Sequence, residues 1–109
     1  MTNEQRKEIY DRAISHYSRG IQLTKAIEEL SELIAEIAKF KGFVPPYNKG
    51  GFLVAKDAPI IGEMADVIIM LEQMQTIMGI TDEDLNSMIA YKLGRLVGRM
   101  EREDSDATD

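Results

Sequence analysis

The stretch from Ile60 to Met78 most constrains what this chain can fold into, because it is apolar over a wide arc of the helix that its spacing predicts. The run is broken by Glu63 and Asp66 and is too short to span a bilayer. Their i, i+3 spacing places both acids on one helix face. A buried carboxylate is costly unless it is paired or binds a metal, and no Lys or Arg lies between Asp57 and Met88. The sequence therefore favours a divalent metal ion as the neutralising partner.

A second acidic pair, Glu29 and Glu32, has the same spacing in another helical stretch. Taken alone, such a pair is typical of a solvated helix face, and that interpretation applies equally to Glu28 and Glu36. If the two helices pack antiparallel, however, the four carboxylates of both pairs can converge. Hard oxygen ligands of this kind suit Mg²⁺ or Mn²⁺. The alternatives are a water-filled polar seam, or an interface where the acids meet arginines of another subunit.

Apolar spacing and helix-breaking residues predict an all-α fold, a small bundle of about four helices. The expected order is a helix over about 3–17, a break at Gly20, a helix over about 21–41, a third from Pro59 to Gly79 and a fourth opened by Thr81. We expect a single domain over 1–100 and a disordered acidic tail over 101–109. The fourth helix is expected to bury an apolar face made of Leu85, Met88, Ile89, Leu93, Leu96, Val97 and Met100.

Composition excludes several classes of function. Cysteine is absent, which removes disulfide scaffolds, thiolate metal sites and cysteine nucleophiles. A formal charge of −6 argues against coating nucleic acid. His16 is the only histidine and belongs to neither acidic pair, which disfavours di-iron and zinc chemistry. The amino terminus has no signal-peptide pattern, so we expect a cytoplasmic protein that contacts neither membrane nor nucleic acid.

Cations on the fourth helix are candidates for phosphate binding. Lys92 and Arg95 share a face, and Arg99 follows one turn later. In isolation such a stripe is solvated surface whose stems cover apolar neighbours. Beside a carboxylate metal site, the same cations are typical of phosphate clamps.

The segment 43–58 is rich in proline, glycine and lysine, and it joins the two acidic helices. A connection of this length is unusual in a small helical domain and is often functional. It is either a covering at one end of the bundle or a lid over substrate, and the sequence does not choose between them.

The motif Glu28-Glu29-x-x-Glu32 followed by Glu63-x-x-Asp66 resembles the MazG-like, all-alpha nucleoside triphosphate pyrophosphohydrolase superfamily. The resemblance runs from about Gln22 to about Arg99. It includes Lys25-Ala26-Ile27-Glu28-Glu29-Leu30, Glu63-Met64-Ala65-Asp66-Val67 and Tyr91-Lys92-Leu93-Gly94-Arg95-Leu96. Two features depart from the family pattern: Ala90 stands where some members have asparagine, and the gap between the two motifs is long.

The resemblance implies a role for each matching residue. Metal ligands would be Glu29, Glu32, Glu63 and Asp66, holding Mg²⁺ or Mn²⁺. Glu28 would accept a proton from the attacking water or orient it, and Lys25, Lys92 and Arg95 would bind substrate phosphates.

The implied activity is hydrolysis of a nucleoside or deoxynucleoside triphosphate to the monophosphate and pyrophosphate, with cleansing of the nucleotide pool as one use. A homodimer or homotetramer would complete the acidic hairpin. The alternative is a non-enzymatic helical adaptor whose acidic groove binds a basic partner.

Overall fold

A computed structural model describes residues 1–41 and 59–107 of the chain. They form four helices and no strand, which confirms the all-α expectation: α1 (Asn3–Tyr17), α2 (Arg19–Lys41), α3 (Pro59–Met78) and α4 (Asp82–Ala107). The chain divides into two compact units, Met1–Met78 and Gly79–Asp109. The first unit therefore contains α1, α2 and α3, and the second contains α4.

One serine separates α1 from α2. Ser18 has a φ of 106°, its N–H donates to the carbonyl of Ile14 at 2.9 Å, and its Oγ accepts from the N–H of Ile21 at 3.2 Å. The same residue thus ends α1 and caps the start of α2. The break expected at Gly20 was wrong by two residues, because the serine hydroxyl supplies a cap and Gly20 lies inside α2.

The end of α3 and the start of α4 follow the expected chemistry. Gly79 has a φ of 66°, the left-handed conformation that glycine adopts at low cost. Thr81 Oγ1 accepts from the N–H of Asp84 at 3.1 Å, and acids fill the first turn of α4.

The carboxyl end of α4 differs from the expectation. The helix continues through Ala107, so residues 101–107 are helical here instead of a disordered tail. Glu101, Arg102 and Glu103 are good helix formers, and no glycine or proline follows Gly98.

In the first unit α3 packs against both α1 and α2, around the buried side chains of Tyr10, Ala26, Val67 and Met70. A polar cluster joins α1 to α3 at the edge of this core. The Arg6 guanidinium donates to both carboxylate oxygens of Glu72, at 2.7 Å to Oε2. Tyr10 Oη donates to the same Oε2 at 2.7 Å. Because burial disfavours the phenolate, the pKa of Tyr10 is raised.

The contacts between α2 and α3 show that the two helices are antiparallel. Gln22 Nε2 donates to Gln73 Oε1 at 2.7 Å, and both side chains are buried. Further along α2, Glu29 and Glu32 lie beside Glu63 of α3. Residue numbers rise along α2 as they fall along α3, which is the packing that the convergence of the two acidic pairs requires.

Apolar stripes at heptad spacing remain exposed on the outer side of the α2–α3 pair. On α2 the exposed fraction of these residues lies between 38% and 68%, and on α3 between 46% and 53%. The members are Ile27, Leu30, Ile34 and Ile37 on α2, and Ile61, Met64, Ile68, Leu71 and Met78 on α3. We call them the outer stripes.

The expected buried face of α4 is not buried. No residue of α4 is buried in this structure, including its apolar positions Leu85, Met88, Ile89, Leu93, Leu96, Val97 and Met100. The second unit holds a single helix, and one helix has nothing of its own against which to pack an apolar face.

Candidate metal centre

Three of the four predicted metal ligands come together in the first unit. Glu29 and Glu32 of α2 and Glu63 of α3 each offer one carboxylate oxygen, and these three oxygens lie within 4.8 Å of one another. The spacing of three on α2 brings both of its acids to the side that faces α3. We call this group the carboxylate cluster.

The cluster contains two buried oxygens without a hydrogen-bond partner, Glu29 Oε2 and Glu63 Oε2. Glu29 retains only 7% of its accessible surface. A buried carboxylate oxygen without a partner loses its hydration and gains no hydrogen bond to compensate. Within the described ranges the one cation on the cluster is Lys25, whose Nζ lies 3.1 Å from Glu29 Oε1.

The converging negative charges of the cluster repel one another, and this repulsion affects the ionisation of Glu32. Its pKa is raised, first by the negative charge of Glu29 and then by that of Glu63. The pKa of Lys25 is also raised, first by its hydrogen bond to Glu29. A single lysine thus leaves three converging carboxylates under-neutralised.

A hard divalent cation fits this donor set. All three ligands are oxygens, two of them have free buried lone pairs, and the ligands come from two helices that are packed together. Mg²⁺ and Mn²⁺ prefer carboxylate oxygen and keep part of their water shell, which a half-open cluster allows.

Asp66 is not part of the cluster. It is exposed on α3, one turn after Glu63, and the three converging oxygens do not include one of its own. The motif predicts Asp66 as a fourth ligand, but its carboxylate does not lie with the three converging oxygens.

The remaining predicted site residues stand as follows. Glu28 is exposed, and its Oε2 lies 3.8 Å from Lys25 Nζ, beside the cluster on α2. Lys92 and Arg95 are exposed on α4 in the second unit, and their phosphate-binding role stays a prediction. The predicted lid or covering segment 43–58 lies outside the described residues.

Sequence reasoning missed two polar groups that organise the first unit: the cluster of Arg6, Tyr10 and Glu72, and the buried pair Gln22 and Gln73. A signal was present, since Glu72 and Gln73 interrupt the same apolar stretch as Glu63, and Glu72, like Glu63, has no Lys or Arg near it in the sequence. The cation that pairs with Glu72 is Arg6 of α1, which is distant in the sequence.

No protein-family model, curated protein or solved structure matches this chain. Within the part of the chain that the structure describes, no helix is both long enough and apolar enough to cross a membrane. The candidate metal centre is supported by the geometry of the carboxylate cluster and by the resemblance of its residues to the MazG-like motif.

Proposed function

We propose that the protein is a Mg²⁺-dependent nucleoside triphosphate pyrophosphohydrolase, which releases a nucleoside monophosphate and pyrophosphate. The observation that carries the proposal is the carboxylate cluster with its two unpartnered buried oxygens, on Glu29 and Glu63. The resemblance of the same residues to the MazG-like motif supplies the reaction. Mn²⁺ would serve in place of Mg²⁺, because both take octahedral oxygen ligands.

The metal, when bound, would supply Lewis-acid polarisation of the phosphate and stabilisation of the leaving pyrophosphate. Glu29, Glu32 and Glu63 would hold it, from two helices whose packing fixes their separation. Glu28, exposed at the edge of the cluster, would orient the attacking water or accept its proton.

Cations of the chain would bind the substrate phosphates. Lys25 already lies on the cluster, 3.1 Å from Glu29, and its long flexible stem can carry the ammonium to a phosphate oxygen. Lys92 and Arg95 share one face of α4 at a spacing suited to the same task.

We further propose that the working form is a homodimer or homotetramer. The outer stripes give α2 and α3 each an apolar heptad surface in addition to the one they share. Exposed apolar surface at this spacing is typical of helices that pack into a four-helix arrangement with another pair.

A panel of nucleoside and deoxynucleoside triphosphates with Mg²⁺ or Mn²⁺, assayed for pyrophosphate release, tests the activity. Glu32→Gln is the diagnostic variant, and Glu36→Gln is its matched control on the same helix. Glu36 is paired with Lys39 at 3.2 Å and lies outside the cluster. We expect activity in the native protein and in Glu36→Gln, and its loss in Glu32→Gln.

The adaptor alternative gives a different set of results. An acidic groove that binds a basic partner needs no divalent ion, so Mg²⁺ would leave its thermal melting almost unchanged, whereas a native-state metal site raises Tm. Absence of hydrolysis across the panel, together with absence of a Tm response to Mg²⁺ and Mn²⁺, would favour the adaptor.

A further inference from the structure

A pair of amide side chains lies in the interface between α2 and α3. Gln22 Nε2 donates to Gln73 Oε1 at 2.7 Å, and the residues retain 7% and 4% of their accessible surface. Buried glutamine is uncommon, since an amide that loses water must find its partners inside the protein. An apolar pair would fill the same space at lower desolvation cost.

The amide pair and the carboxylate cluster share one helix register. Counting along α2 from Gln22 to Glu32 covers as many residues as counting back along α3 from Gln73 to Glu63. The distance between the two sites is about 15 Å along the helix axes. A shift of one turn would separate Glu63 from its α2 partners and would also break the amide hydrogen bond.

Other features of the interface do not select this register strongly. By helical spacing, the residues nearest Gln73 along α3 are Met70, Met74 and Ile77, and methionine packs adaptably against many surfaces. Apolar residues that recur every three to four positions along a helix meet similar neighbours after a shift of one turn. The helices are also joined by residues 42–58, not by a turn of a few residues whose length would set their alignment.

We propose that the Gln22–Gln73 pair fixes the register of α2 against α3 and thereby positions Glu29 and Glu32 opposite Glu63. The two glutamines are positioning residues: a slipped register leaves a buried amide without its partner, and the native register satisfies it. A single buried polar residue specifies register in coiled coils at a cost in stability. The part of the proposal that concerns metal affinity rests on the proposed function, whereas the part that concerns register does not.

The test replaces both amides by methionine, which has a similar length and no hydrogen-bonding requirement, in the variant Gln22→Met/Gln73→Met. The leucine pair Gln22→Leu/Gln73→Leu serves if the methionine pair does not fold. The control is Tyr10→Phe, which removes a hydrogen bond to Glu72 between α1 and α3 and leaves the α2–α3 amides in place.

Spin labels measure the register directly. The chain has no cysteine of its own, so Ala35→Cys and Thr76→Cys, both at exposed positions, can be labelled in any background. The labels would lie about 24 Å apart along the helix axes, and a slip of one turn changes that by about 5 Å. Dilution with unlabelled protein removes distances between copies. Mn²⁺ affinity and metal-free Tm are measured on the same variants without labels.

We expect one narrow distance in the native protein and in Tyr10→Phe, and a second or shifted distance in the amide-free pair. The Tm of the amide-free variant should be unchanged or higher than that of the native protein. Its Mn²⁺ dissociation constant should rise by at least about tenfold, as it does when other residues that position metal ligands are lost. Tyr10→Phe should show the reverse pattern, with lower Tm and native affinity. If the amides only stabilised the fold, the amide-free variant would show both a lower Tm and a weaker Mn²⁺ affinity.

A single native distance with native Mn²⁺ affinity in the amide-free pair would overturn the proposal. If the native protein binds no Mn²⁺, the metal centre has failed and the distances alone decide: a shifted distance supports the register role, and an unchanged one overturns it.

Discussion

Glu63 is the residue on which the proposed metal centre depends most, because α3 contributes no other member of the carboxylate cluster. Glu63→Gln keeps the shape and removes the charge. We expect the rise in Tm produced by Mg²⁺ to disappear and kcat/KM to fall by more than about 100-fold, since even outer-shell partners of a metal are worth about 10–100-fold. Without metal the variant should melt at the same or a higher temperature.

Asp66→Asn provides the comparison for Glu63→Gln. Asp66 is exposed and outside the three converging oxygens, so its variant should keep a measurable Mg²⁺ response in thermal melting. Complete loss of that response in Asp66→Asn would show that the bound metal recruits Asp66 as the fourth ligand that the motif implies.

The raised pKa of Glu32 gives the metal-free protein a characteristic pH dependence. Folding places this carboxylate beside Glu29 and Glu63, so at weakly acidic pH the folded state binds more protons than the unfolded state. The contribution of Glu32 to stability therefore falls as pH rises from about 4 through its raised pKa. In thermal melts of metal-free protein between pH 4 and 7, the Tm of Glu32→Gln should rise relative to that of the native chain as pH increases, and a constant difference between the two would contradict this account.

At the scale of an element, the two glycines near helix ends should respond oppositely to alanine. Gly20 lies inside α2 and has open space where a Cβ would stand, so Gly20→Ala should stabilise the protein by up to about 1 kcal/mol. Gly79 has a φ of 66°, so Gly79→Ala should destabilise by about 1 kcal/mol. Urea unfolding of both variants measures the two changes, and stabilisation by both would argue against the left-handed turn after α3.

The elements were largely predictable from sequence, and the reasons are local. Proline at the start of α3, Gly79 after its end and Thr81 before α4 act through backbone chemistry that does not depend on the rest of the fold. The Gly20 break was wrong because a serine two residues earlier combines a positive φ with a side-chain cap. No composition rule identifies such a residue in advance.

The carboxylate cluster was predictable only in part, for a geometric reason. Three residues advance a helix by about 300°, so the second acid of a pair lies about 60° away from the first. On α2 the longer Glu32 still reaches the cluster from its exposed position, whereas the shorter Asp66 on α3 does not. The links that cross between helices, such as Arg6 with Glu72, join residues too far apart in sequence for spacing to reveal them.

At the scale of the whole molecule, the outer stripes predict association. Light scattering at micromolar concentration should give the mass of a dimer or a larger assembly. Ile34→Glu places a charge in the outer stripe of α2, at a residue that is 68% exposed, and should shift the protein towards monomer. Ile9→Glu is the matched control on α1, at a residue that is 50% exposed and outside both stripes. Equal masses for the native protein and both variants would contradict the role of the stripes.

The absence of buried residues in α4 has a kinetic consequence for its backbone. A helix without buried side chains opens easily, because little packing adds to the local propensity and the cap that hold its amide hydrogen bonds. Amide protons of α4 should therefore exchange with deuterium quickly whenever its apolar face is uncovered, and slowly when another surface covers it. If that surface belongs to a second copy, the exchange rate of α4 falls as protein concentration rises, while the rate at Val67 and Met70 in the core of the first unit changes far less.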